Sequence, residues 1–529
     1  MTDIRKTPGV YVTELDAVSP QIVGVATSVP IFIGYTQKAA ADGKDVTLTP
    51  VPITSLADYE RAFGGADAAV CKIVPADANM TPDIVAPPRG DFVLDVAIRH
   101  NLFNSMRLFY ANGGGDAYVV SVGDYSGSVT LDALSKGLAA AGAQTGPTMI
   151  VIPEGMLLPA DMAQSGKTIP TSAGFQSLIR AMLAQAGTLQ DRIAILDVYG
   201  AGAVGKIGNK ANDAALDECV TDFHAAAGDA DLDYGAAYFP LLNSTVVAPL
   251  EINYSCFSPS LDRLTAILKS QAAILYPDVP PGNPQHASVM AMIDAIAGTL
   301  PTSSPPATPA AIAALNQNLT NAIPLLQQME IIVAAKLGVL PPAGAMAGVM
   351  TSNDQTRGVW NAPANMGLNN VLAPSIALND QQQGPLNVPL DGKSINVIRQ
   401  FVGRGPVVWG ARTLAGNSNE WRYIQVRREI VYIEQSIKAA LNQFVFAPNV
   451  AQTWAAATAM VSNFLQQLWQ QGGLMGDKAS DAFTVQCGLG STMTAQDIVD
   501  GYMIVSVTLQ IIHPAEFIAL TFKQTMQGA

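Results

Sequence analysis

Three groups of residues have the types and spacing that chemistry needs. The first is Gly200-Ala-Gly-Ala-Val-Gly205, a GxGxxG match behind the apolar run Arg192–Val198. At a strand-to-helix turn such glycines let backbone N–H groups approach a pyrophosphate. Here Lys206-Ile-Gly-Asn-Lys210 is a poor helix start, and Asp213, Asp217 and Glu218 fall in a helical segment, not at a strand end. A loop over the sheet edge is the plainer reading. The second is Ser165-Gly-Lys-Thr168, which matches the end of a phosphate-binding loop. The place of the loop's first glycine is taken by Asp161, whose carboxylate would repel phosphate. The third is the cluster Arg399, Arg404, Arg412, Arg422, Arg427 and Arg428. Guanidinium groups suit ion pairs at interfaces. These either pair internally with Glu420, Glu429 and Glu434 or form a face for an acidic partner.

Other candidates are few. His100, His224, His286 and His513 show no zinc-like spacing, and no GxSxG elbow occurs. Cys71, Cys219, Cys256 and Cys487 lie far apart with no CxxC pair, so buried free thiols and a reducing site of synthesis are expected. No carboxylate pair stands out. Catalytic, cofactor and metal residues are therefore expected to be none. An α/β nucleotide-binding enzyme using Gly200–Gly205 stays as the alternative from another class.

The elements that would position these groups fall into three stretches. Ile31–Tyr35 reads as a buried strand, Ser55-Leu-Ala-Asp58 as a capping box opening a helix to Phe63, and Asp91–Tyr110 as a longer helix. Strands at Ala117–Ser121, Met149–Ile152, Arg192–Val198 and Tyr234–Phe239 alternate with helices near Phe175–Gln185 and Ala211–Ala227. That alternation predicts an α/β layer with a partly parallel sheet. Residues 243–338, rich in proline and in uncharged helical runs such as Ala310–Asn318, read as an insertion. The last stretch has a strand at Trp421–Val426, a helix with Ile430, Ile433, Ile437, Leu441 and Phe444 on one stripe, and a second helix through Trp454, Ala457, Val461, Leu465 and Leu468. Tyr502–Ile512 then alternates, with Met503, Val505, Val507, Leu509 and Ile511 on one face. Near the start, Val10, Tyr11, Val12, Thr13, Glu14 and Leu15 form a strand-like run in a polar arm with no partner nearby.

Composition excludes several classes. The 529 residues (55.3 kDa) carry 29 Lys+Arg against 42 Asp+Glu, a net charge of −13 and a pI near 4.7. Such a chain is a poor binder of nucleic acid or anionic membrane. Charged residues make up only 13%, against roughly 25% in ordinary soluble domains, and mean hydropathy is +0.24. Yet no stretch of about 18 apolar residues occurs: Ile331–Met350 is broken by Lys336 and Pro341-Pro342, and Met1–Lys6 lacks an apolar signal segment. No membrane insertion is expected. Low charge without a span points to a surface covered by other chains, as in a polymer. The acidity lies in the first 390 residues, with 19 basic and 33 acidic, whereas 391–439 holds eight basic and four acidic.

Two blocks carry a family resemblance. One is Thr7-Pro-Gly-Val-Tyr-Val-Thr-Glu14 with Val25–Tyr35 and Ser55–Gly65. The other runs from Arg357-Gly-Val-Trp-Asn-Ala-Pro-Ala-Asn365 through Val408-Trp-Gly-Ala-Arg-Thr-Leu414, Glu420–Arg428, Phe446-Ala-Pro-Asn449 and Phe464–Trp469 to Pro514-Ala-Glu-Phe-Ile518. In these the chain resembles the tail sheath proteins of contractile phage tails and extracellular contractile injection systems, over about residues 1–120 and 340–529. The long 243–338 segment is more similar to the injection-system branch. The resemblance implies a multidomain α/β and α+β fold: an N-terminal arm at 1–20, an outer α/β domain at 21–390 with its insertion at the surface, and a C-terminal assembly domain at 391–529. It implies a homo-oligomer of stacked six-fold rings around an inner tube protein, with baseplate and terminal cap partners, joined by exchange of the Val10–Leu15 and Met503–Ile511 strands. Contraction would drive the tube through a target envelope, with part of the arginine cluster facing the tube. Assembly would occur in the bacterial cytoplasm, in a phage tail or a released tail-like particle. A capsid or baseplate component is the structural alternative.

Overall fold

A computed structural model describes residues 21–77, 80–162, 166–207, 210–279, 281–300 and 307–518; the Val10–Leu15 arm lies outside these. The described residues divide into two compact units, 26–431 with 516–518 and 21–25 with 432–515.

The larger unit is built on one sheet of β1 (Pro30–Gly34), β2 (Val51–Ile53), β3 (Ala117–Ser121), β4 (Met149–Val151), β5 (Ile193–Asp197), β6 (Gly235–Phe239), β7 (Ile395–Phe401) and β8 (Gly405–Val408), in the order β8-β7-β6-β5-β4-β1-β3-β2. The six strands from β7 to β3 run parallel, and each edge strand is antiparallel to its neighbour. Parallel strands covered on both faces need apolar residues at successive positions, which is why Ile31-Phe-Ile33 reads as an unbroken run. Phe32 enters the core on one face, Ile31 and Ile33 that on the other. Helices Leu131–Gly142, Ala173–Leu189 and Asp213–Ala227 contribute to the second core through Leu134, Leu178 and Leu216. On the first, helix Ala343–Arg357 crosses helix Leu102–Ala111 at backbone contact. A Cβ at Gly344 would lie 2.8 Å from the Ser105 carbonyl oxygen, and one at Gly348 2.4 Å from that of Phe109.

Several sequence expectations are corrected. Asp91–Tyr110 is not one helix: Gly90–Ala97 is a strand between Val70–Pro75 and Ile84–Ala86, and the helix is Leu102–Ala111. The Phe92–Val96 spacing of four fits both periods, and the buried pair Phe92 and Leu94 reveals the period of two. Trp421–Val426 is no strand, since helix Ile424–Leu441 begins inside it. The boundary at 390/391 moves to 431/432, because Ile395–Phe401 and Gly405–Val408 complete the central sheet. The 243–338 segment forms helices Leu261–Leu275, Pro284–Thr299, Pro309–Ala322 and Pro324–Leu337. Its Ile293, Leu319, Met329 and Val333 share the core with Phe32, so it is part of the packing of this unit.

In the smaller unit the end of helix Ile424–Leu441 is followed by helix Ala451–Gln470, which buries Ala457, Met460, Val461, Phe464, Leu465 and Leu468. Tyr432 meets Phe464 with ring centroids 5.9 Å apart. The Val25 N–H donates to Ser436 Oγ at 3.1 Å, which ties the incoming chain to the first helix. The expected strand Tyr502–Ile512 is shorter, Ser506–Leu509, and pairs antiparallel with Phe483–Gln486, Val485 opposite Val507.

Candidate assembly surfaces

The crevice at the strand ends of this sheet is filled by the chain's own side chains. In an open parallel sheet the crevice lies beyond the strand ends where the order reverses, here between β4 and β3 on either side of β1. Glu154, in the turn after β4, fills it. Its buried carboxylate accepts hydrogen bonds from the N–H groups of Tyr35 (2.7 Å), Asn101 (3.3 Å) and Leu102 (3.4 Å), the last opening helix Leu102–Ala111. A helix N-terminus that would suit an anion thus receives one from its own chain. At the end of β5, buried Asp197 accepts from the N–H of Ala343 at the start of helix Ala343–Arg357, at 2.8 Å. Burial pushes Glu154 up to about 8 and Asp197 up to about 7.

The glycine motif does not form a nucleotide turn. Gly200 sits at φ +81°, Ala201–Ala203 make a short 3-10 turn, and a two-residue hairpin intervenes before helix Asp213–Ala227. No helix N-terminus follows the glycines, so they shape a loop. Lys167 pairs with Asp222, and the N–H and hydroxyl groups of Thr168 both donate to Glu218. Cys71, Cys219 and Cys256 are buried thiols, and desolvation pushes Cys219 up to about 12. Among the described residues no group of three or more His, Cys, Asp and Glu could hold a metal ion, and no helix is long and apolar enough to cross a membrane.

The arginine cluster separates into two classes. Arg428 and Asp354, each with 3% of its side chain exposed, form a bidentate pair at 2.9 and 2.7 Å, and Arg428 also donates to the Thr27 carbonyl. Arg427 pairs with Asp233 and lies between the rings of Trp421 (3.6 Å) and Tyr234 (4.3 Å). Arg412 grips Glu516 at 2.9 and 2.7 Å. Burial pushes Glu516 up, but Arg412, Asn387 and Tyr423 together hold it below its ordinary value. These three arginines are buried and neutralised inside the chain, so they offer no charge to a partner. The acids that pair with these three are Asp354, Asp233 and Glu516, distant in sequence, where the local reading looked to Glu420, Glu429 and Glu434. Glu429 is itself buried with both carboxylate oxygens unpartnered among the described residues, and burial pushes it up to about 9. Arg399, Arg404 and Arg422 form the second class. Arg399 pairs with exposed Asp380 at 2.6 Å. Arg404 and Arg422 bind neutral groups, Asn365 Oδ1 at 2.7 Å and Asn419 Oδ1 at 2.5 Å.

The smaller unit is exposed in an unusual way. It holds under a fifth of the described residues but nine of the 26 exposed large apolar side chains, among them Val445, Val450, Val499 and Tyr502. Phe446 is 102% exposed and held at φ +67°, a conformation bulky residues avoid. Helix Ala451–Gln470 carries no charged residue. In the Ser506–Leu509 ladder neither strand has a second neighbour among the described residues. Its alternation matches the expected one: Val505, Val507 and Leu509 are half-buried, and Ser506 and Thr508 are exposed. Open edges and bare apolar side chains are costly for an isolated chain in water.

Comparison with known proteins follows the same line. Residues 291–414 match the profile of the phage tail sheath protein central domain, and residues 417–525 that of the phage tail sheath C-terminal domain. The fold is similar to that of a chain in the contracted sheath complex of PVC, an extracellular contractile injection system (24% identity, TM-score 0.56, 99% of each chain covered). It is similar also to chains in the contracted helical sheath and the six-fold symmetrised baseplate of the anti-feeding prophage, both at 25% identity and TM-score 0.55 over 99% of this chain and 100% of those. No curated protein matches the sequence significantly. Residues 291–525 thus carry the two phage tail sheath domains, and the chain is a structural subunit of a contractile tail sheath.

Proposed function

We propose that this subunit polymerises as stacked six-fold rings around an inner tube, bounded by baseplate and cap proteins, and that contraction drives the tube through a target envelope. The observation that carries the reading is the Phe483–Gln486/Ser506–Leu509 ladder, two strands whose outer edges are open among the described residues. An isolated pair of strands is marginal in water, and a strand from another chain on each edge would satisfy its free N–H and C=O groups. The Val10–Leu15 run of a neighbouring copy suits that role by its alternation, with Met503–Ile511 as its counterpart. The similarity to sheaths of extracellular injection systems over nearly the whole chain favours a tail-like particle assembled in the cytoplasm and then released. The work is mechanical, drawn from inter-subunit contacts, and the reading assigns the subunit no catalysis. Arg399, Arg404 and Arg422 remain the residues able to meet an acidic tube surface.

The test is to express the full chain alone beside a chain lacking residues 1–16. The full chain should give hollow cylinders, in the contracted packing because no tube holds it extended. The shortened chain should keep its circular dichroism and sediment as a soluble subunit. Normal cylinders from the shortened chain would end the strand-exchange reading.

A further inference from the structure

The hairpin that ends the central sheet presents a second, separate surface. Across it Phe401 and Trp409 meet with ring centroids 4.6 Å apart and planes inclined at 55°. Two guanidinium groups flank Phe401, Arg399 at 5.5 Å and Arg404 at 6.0 Å from the ring centroid. At the tip Val402 is 105% exposed, and Trp409 keeps 38% of its surface bare. The backbone edge of β8 offers nothing to a new strand. The N–H groups of Asn365 and Leu368 donate to the Val408 and Pro406 carbonyls, and the Val408 N–H donates to Met366. What remains for a partner is a side-chain surface of Trp, Phe, Val and Arg, of which Trp and Arg are the types that most often carry binding energy at interfaces.

The charge of this surface identifies the occupant. Arg404 hydrogen-bonds Asn365, lies over the Phe401 ring and has no carboxylate within ion-pair distance among the described residues, so no acid of its own chain there balances its charge. The first 390 residues of the same chain hold 19 basic and 33 acidic residues. A basic, aromatic tip on a chain that is otherwise strongly acidic is complementary to other copies of itself, and such complementarity sets register and on-rate. We propose that the Phe401–Trp409 hairpin tip, through Val402, Arg404 and Trp409, docks on an acidic face of a second copy of this chain. This rests on the polymeric reading above but adds a contact that needs neither arm.

The experiment uses the full chain without tube protein, comparing the unmodified chain with Val402→Glu, Arg404→Glu and Arg404→Lys in sedimentation and negative-stain microscopy. Val402→Glu and Arg404→Glu should each reduce the cylinder yield at least tenfold at low salt, with circular dichroism unchanged. Arg404→Lys should retain most of it, and raised salt should weaken the unmodified polymer toward the Arg404→Glu level. If both glutamate variants assemble like the unmodified chain, the hairpin contact is refuted while polymerisation stands. If they assemble alone yet fail only to enclose an added tube, the tip faces the tube and the proposal falls. An unmodified chain that stays monomeric would end both readings.

Discussion

Replacing Arg428 by alanine tests whether the arginine cluster is internal scaffold or partner surface. Arg428 and Asp354 each expose 3% of their side chains, and the guanidinium makes two bonds to the carboxylate and one to the Thr27 carbonyl. Removing one member of a buried pair leaves the other charge desolvated and unpaired, which costs about 3–5 kcal/mol. Total stability for a native domain is about 5–15 kcal/mol, so the loss is a large share of it. Asp354→Ala should cost about as much. The double variant should cost clearly less than the sum of the two, because no orphan charge remains. Urea unfolding followed by tryptophan fluorescence reads this well, since Trp360, Trp409 and Trp421 lie in the larger unit. If Arg428→Ala unfolds like the unmodified chain but no longer assembles, Arg428 serves a partner and the internal pairing argued above is wrong.

Two further outcomes follow from the core. Burial raises Glu154 to about 8, Asp197 to about 7 and Glu429 to about 9, so from near pH 4.5 up to these values the folded chain binds more protons than the unfolded one. Stability should therefore be greatest at the acid end of that window and fall as pH rises through it, at up to about 1.4 kcal/mol per pH unit for each group. Glu429→Gln should flatten the slope between pH 6 and 9 in urea titrations, and an unchanged slope would mean Glu429 does not titrate there. Gly348→Ala should destabilise the larger unit by about 1–3 kcal/mol, since its Cβ would meet the Phe109 carbonyl oxygen at 2.4 Å. A midpoint equal to that of the unmodified chain would show that the two helices can separate freely.

The central sheet was legible because its strands are covered on both faces, which forces apolar runs that no loop imitates. The capping box at Ser55 was legible for a local reason: its hydroxyl accepts from the Asp58 N–H. What failed was decided by long-range packing. Phe92 and Val96 satisfy both periods, so only pairing with Val70–Pro75 makes a strand of Gly90–Ala97. The ion-pair partners of Arg412, Arg427 and Arg428 lie 74 to 194 residues away, beyond any local spacing rule. Glu154 was missed for the same reason. Its donors come from two separate places, the end of β1 and the start of helix Leu102–Ala111, and only the order of the strands brings them to one crevice. One signal existed, an acidic residue directly behind an apolar strand, where a ligand-binding sheet would expose small residues.

The filled crevice also bears on what the subunit must do. A ligand site at the sheet would leave a hollow where two layers meet, and a hollow yields under load. Glu154 and Asp197 instead tie strand ends to the N-termini of helices Leu102–Ala111 and Ala343–Arg357. Those helices in turn touch at backbone distance through Gly344 and Gly348. The larger unit is thus cross-braced from sheet to helix to helix. The smaller unit has the opposite character: an isolated two-stranded ladder, an uncharged helix and bare apolar side chains. A rigid body joined to a part that is completed only by neighbours is what a contractile lattice requires. On the reading proposed above, the bodies would keep their internal contacts while contraction redistributes the contacts between subunits.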